Sequence, residues 1–158
     1  MEKPLILLPF VHGIDSAALS CALAFARKAD ATLLLVSYIR LSGRRVRAET
    51  IAQRQDFFEL MTHKAGRAGI AVERMSISTE QVARSIQMLG QEMACTGTLV
   101  FVRNRKGVLL ETEDIKQILE QPGQPVYLFR LASRKNPFSR VGVSLMRWLR
   151  RIPKSNPE

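Results

Sequence analysis

The chain has 158 residues, 46% of them hydrophobic and 24% charged, with a formal net charge of +10. That is one domain's worth of folded protein, too apolar for a disordered chain and without the run of about 20 apolar residues that spans a bilayer. The charge is uneven: residues 1–132 carry 17 Lys/Arg against 13 Asp/Glu, whereas residues 133–158 carry 7 against 1, so the excess sits on a basic tail.

Pro4–Val11 (PLILLPFV) is an apolar run of strand length, as in a parallel strand buried on both faces. Pro4 and Pro9 interrupt it too early for a secretory signal, and the protein is expected to be cytoplasmic. Asp15 or Ser16 can cap a helix over Ala17–Ala29, which ends on Arg27-Lys28. Ala31–Ile39 (ATLLLVSYI) is a second buried strand, and the arginines around Arg40 and Arg44 read as a solvated basic loop. Helical spacing of Ile51, Phe58, Met61 and Ala65 predicts a helix over Ala48–Ala68, with Gly69 past its end. Ile70–Ser78 alternates as an edge strand does, and Thr79 opens a helix over Glu80–Cys95. Gly97–Val102 is a further buried strand. Glu111–Gln121 is a short helix with an acidic first turn, and Val126–Leu131 is the last strand.

The alternation of strands and helices predicts a doubly wound, Rossmann-like parallel sheet of five strands, whose ligand crevice lies at the carboxyl ends of the strands. Cys21 and Cys95 read as buried apolar residues, and His12 and His63 lack metal-ligand spacing. No nucleophile, base and orienting acid can be assembled, so no catalytic residue is assigned and no enzymatic activity is expected.

The element order, the Ile6-Leu7-Leu8-Pro9 opening before a Gly13/Asp15/Ser16 turn, the Gly69-Ile-Ala-Val-Glu-Arg step and the Pro125-Val-Tyr-Leu-Phe closing stretch resemble the universal stress protein family. The resemblance covers about residues 3–131. It implies the adenine nucleotide alpha hydrolase-like fold, with strand order 3-2-1-4-5. Nucleotide-binding members carry an Asp at the end of the first strand and Gly-x2-Gly-x9-Gly-(Ser/Thr) after the fourth. Here that Asp position falls on Val11, Asp15 comes four residues later, and the second segment reads Arg103-Asn104-Arg105-Lys106-Gly107 with one glycine and no Gly-(Ser/Thr) pair.

A chain of this family without its phosphate cradle is expected to need no cofactor and to act as a regulatory or scaffold protein through association. The alternative is an ATP-binding stress protein with a divergent loop, drawing on His12, Gly13, Asp15, Arg103, Asn104, Arg105, Lys106 and Gly107. His12 reads as a polar loop residue with no carboxylate identifiable beside it. The resemblance also places Val126, Tyr127, Leu128 and Phe129 on a free sheet edge, inviting a homodimer. No specific nucleic-acid partner is expected, because the basic residues lack an aromatic platform.

Residues 133–158 form the second unit, with Asn136-Pro137 as a helix start and Pro153 as its stop. On a helix over about 137–152, Phe138, Val141, Leu145, Trp148, Leu149 and Ile152 share one face and Arg140, Arg147, Arg150 and Arg151 the other. Such a helix packs on the domain, on a second subunit or partner protein, or on an anionic membrane surface, which would make the protein peripheral to the inner face of a membrane.

Overall fold

The structure, a computed structural model, describes residues 2–41, 48–121, 123–133 and 143–149, with only the backbone for 48–50 and 143–149. The elements run β1 (Leu5–Phe10), α1 (Ser16–Lys28), β2 (Thr32–Arg40), α2 (Ala48–Ala68), β3 (Val72–Thr79), α3 (Val82–Glu92), β4 (Gly97–Arg103), β5 (Lys106–Val108), α4 (Thr112–Glu120), β6 (Val126–Leu131) and β7 (Val143–Leu149). One sheet holds all the strands in the order β3-β2-β1-β4-β6-β7, with β5 paired to β4. The five strands β3, β2, β1, β4 and β6 are parallel, as their apolar runs and helical crossovers predict.

Two cores flank this sheet because its central strands bury both faces. On one side Ile6, Leu8 and Phe10 of β1 meet Leu19, Ala22 and Leu23 of α1 and Phe57 and Met61 of α2. Phe10 stacks on Phe57 with ring centroids 4.2 Å apart. On the other side Leu7, Leu34 and Tyr38 meet Val82 and Ile86 of α3 and Ile115 and Ile118 of α4. Cys21 and Cys95 are free thiols buried in these two layers, Cys21 in the first and Cys95 in the second. Tyr38 is buried with its hydroxyl unpaired in the second layer, and burial, then Cys95, pushes its pKa up.

Among the described residues two antiparallel strands extend the five-stranded parallel sheet that the sequence predicts. β4 turns back into β5 through Asn104 and Arg105, both at positive φ (51° and 64°), the backbone of a tight two-residue hairpin. The second addition replaces an expected helix. Residues 143–149, read from their helical periodicity as the middle of an amphipathic helix, form β7 and run antiparallel to β6, with Tyr127 opposite Trp148 and Phe129 opposite Met146. The edge of β6 offers a row of unpaired backbone donors and acceptors, and a following segment that pairs with it satisfies both strands, which outweighs helical patterning. Leu145, Arg147, Trp148 and Leu149 therefore lie on a strand. Phe138, Arg140, Val141, Arg150, Arg151 and Ile152 lie outside the described residues.

The edge expected at Val126, Tyr127, Leu128 and Phe129 is likewise internal, since β6 sits between β4 and β7. Among the described residues the outer strands are β3 and β7.

Candidate functional site

The carboxyl ends of β1, β2 and β4 meet in the crevice where doubly wound sheets hold ligands. β1 ends at Phe10, and the chain then turns through Gly13, whose φ of +71° suits a residue without a side chain. Asp15 follows with extended dihedrals and caps α1, its Oδ1 accepting from the Ala18 amide at 3.1 Å. Ser16 is the first residue inside the helix.

That carboxylate also faces Arg103, the last residue of β4. Nη1 of Arg103 donates to Oδ2 of Asp15, and Nη2 donates to Oδ1 at 3.2 Å. The pair is withdrawn from water, with side chains 14% and 8% exposed. Nε of Arg103 donates to the Ala132 carbonyl at 2.9 Å, so the guanidinium is held from two directions. The two-pronged geometry suits a planar guanidinium and a carboxylate.

The backbone of the crevice is occupied as well. The Val11 and His12 amides both donate to the Leu109 carbonyl, at 2.8 and 3.2 Å. Leu109 lies at a φ of 70°, in the strained turn that brings its carbonyl over β1. Gly107 makes that turn possible in another way: a Cβ there would collide with the Leu110 carbonyl and the Thr112 amide, and its own amide donates to Oγ1 of Thr112 at 2.9 Å. The amides of Gly107, Val11 and His12, which a phosphate would need, already have acceptors.

Two further side-chain pairs cross the same end of the molecule. His12 lies 3.2 Å from Glu111, which supplies the neighbouring carboxylate that the sequence did not reveal. Arg40, expected in a solvated basic loop, is instead the last residue of β2, and its Nη2 donates to both oxygens of Asp114 at 2.8 and 2.6 Å. Asp114 is buried on α4, where an unpaired charge would be costly, and Arg40 is its partner. Arg40 and Asp114 also border an open polar groove of about 600 Å3 between α3 and α4, with Glu80, Arg84, Gln87 and Gln117 on its walls.

The sequence-nominated residues thus separate into three groups. Asp15 and Arg103 come together, and Gly13 and Gly107 shape the turns that bring them there. His12 pairs with Glu111 at a half-exposed position. Asn104 and Arg105 form the exposed turn of the β4–β5 hairpin, Lys106 is exposed at the start of β5, and Nδ2 of Asn104 donates to Oγ of Ser133 at 3.4 Å. Glu111, Asp114 and Arg40 were missed as site residues, although the acidic first turn of α4 was visible as a helix-dipole feature. Among the described residues no group of three His, Cys, Asp or Glu side chains could hold a metal ion, and no helix is long and apolar enough to cross a membrane.

A parallel five-stranded core with helices on both faces and its crevice at the β1/β4 mouth defines a doubly wound α/β protein. Within that class the fold is that of the universal stress proteins. A structure of a universal stress protein from Archaeoglobus fulgidus superposes with a TM-score of 0.65 at 15% identity, over 81% of this chain and 94% of that one. A universal stress protein from the same organism in complex with dAMP gives 0.62 at 16% identity, over 81% and 98%. An Arabidopsis thaliana universal stress protein family member with AMP bound gives 0.57 at 11% identity, over 87% and 97%. No family model matches the sequence, and no curated protein matches it either.

Proposed function

We propose that this chain is a non-enzymatic regulatory or scaffold domain of universal-stress type that works by association and does not depend on a nucleotide in its crevice. The observation that carries the reading is the closure of the crevice by the chain's own groups: the Asp15 carboxylate on Arg103 and α1, and the Leu109 carbonyl on the Val11 and His12 amides. A triphosphate would have to displace both and approach Glu111 and Glu113 as well. Association is assigned to the sheet edge at β7 and to the basic segment around it, with a second copy of the chain as the first partner and an anionic protein or membrane surface as the next. The setting is the cytoplasm.

Calorimetric titration with ATP at physiological salt tests this. The expected result is no binding tighter than about millimolar, a level at which contacts are worth only about 4 kcal/mol. A micromolar dissociation constant would overturn it.

The second reading is a nucleotide-binding stress protein with a divergent phosphate loop. It is favoured by the dAMP and AMP in the complexes of similarly folded proteins. On that reading His12, Gly13, Asp15, Arg103, Asn104, Arg105, Lys106 and Gly107 surround the ligand, and Arg105→Ala abolishes whatever ATP binding the titration finds.

A further inference from the structure

The Arg103 guanidinium is a nearly buried cation at the carboxyl end of a central strand, beside the first turn of a 13-residue helix. Guanidinium forks and helix N-termini both hold oxyanions. Here both converge on one anion, and that anion is the side chain of Asp15: Arg103 grips its two oxygens while the Ala18 amide donates to one of them. The cation does not owe its position to Asp15 alone, because the Ala132 carbonyl holds Nε from the other side.

We infer that Asp15 is a built-in occupant of an oxyanion site, an autoinhibitory carboxylate that excludes inorganic phosphate and phosphomonoesters from Arg103 and the start of α1. The inference rests on the self-closed crevice described above and adds what keeps it closed. The site is sized for one compact oxyanion. Leu109 takes the Val11 and His12 amides whether or not Asp15 is charged, so no second phosphate finds backbone donors there. Glu111 beside His12 discourages a longer polyphosphate.

The exchange Asp15→Asn removes the charge and keeps an efficient helix cap, so the turn and α1 retain their start. Inorganic phosphate, AMP and adenosine are titrated calorimetrically into the wild-type chain, D15N and D15N/R103Q, with circular dichroism and a cooperative melt establishing that each is folded. Asp15→Ser, a smaller uncharged cap, serves if the Asn variant does not fold. The expected result is that phosphate and AMP bind the uncharged variant at least roughly tenfold more tightly than the wild type, the scale of one charge-assisted hydrogen bond. Adenosine gains nothing, and R103Q abolishes the gain. A folded D15N or D15S with no gain would sink the inference, as would a gain that survives R103Q. Neither outcome touches the proposed function, which is decided by the wild-type ATP titration.

Discussion

Replacing Arg103 with methionine, which keeps most of the length and removes the charge, leaves Asp15 buried without its guanidinium. Breaking a buried pair from one side costs about 3–5 kcal/mol, because the remaining charge stays desolvated. Part of that is recovered here: Oδ1 of Asp15 still accepts from the Ala18 amide, and the positive end of α1 is worth about 1 kcal/mol to a carboxylate. The expected loss is therefore about 2–4 kcal/mol, or about 4–16 °C in melting temperature for a chain of this size. Urea denaturation reads the free energy directly, and Arg103→Met, Asp15→Ala and the double variant close a thermodynamic cycle. The double variant should lose less than the two single variants together, by about 1–3 kcal/mol, because the interaction between the two groups is then lost only once. A single Arg103→Met loss below about 0.5 kcal/mol, the level of an ordinary surface substitution, would refute the argument that this pair is dry and mutually dependent.

Gly107→Ala should destabilise by about 1–3 kcal/mol in the same denaturation assay, since the added Cβ meets the Leu110 carbonyl and the Thr112 amide, which cannot swing aside as a flexible side chain would. Burial pushes the Cys21 thiol from its ordinary 9.0 up to about 11, so the folded chain keeps a proton that the unfolded chain releases; stability should fall as pH rises from 9 through about 11, and Cys21→Ala should flatten that part of the pH profile. Truncation after Ser133 removes β7 and bares the Val126–Leu131 edge; sedimentation velocity should then show concentration-dependent self-association beyond that of the intact chain, whereas an unchanged oligomeric state would count against β7 as the cover of that edge.

The parallel sheet was legible because its strands are buried on both faces and have little choice but to be apolar: PLILLPFV, ATLLLVSYI, GTLVFV and VYLFRL each mark a strand without reference to the rest of the chain. The end of α2 was equally plain, since Gly69 sits at a φ of +71° where other residues are strained. β5 was not legible. It is only three residues long, and its hairpin turns on Asn104-Arg105 rather than on the glycine that usually announces such a turn. β7 was misread for a different reason: its stretch segregates apolar residues from arginines at helical spacing, and what decides its conformation is the β6 edge, which local periodicity does not contain.

The site divides along the same line between local and distant causes. Asp15 was visible as a helix cap and the acidic turn of α4 as a complement to its dipole, because caps and dipoles act within one turn of chain. Their second roles depend on partners 88 and 74 positions away, Arg103 for Asp15 and Arg40 for Asp114. Which cation faces which carboxylate is set by the crossovers that bring the ends of β1, β2 and β4 together, so residue order alone leaves Arg40 and Arg103 looking like members of two basic loops. Each carboxylate had a sufficient local explanation, and that sufficiency concealed the pairings. The same double use gives the crevice its character: an aspartate placed to start α1 stands, once the sheet is assembled, where an incoming anion would have to be.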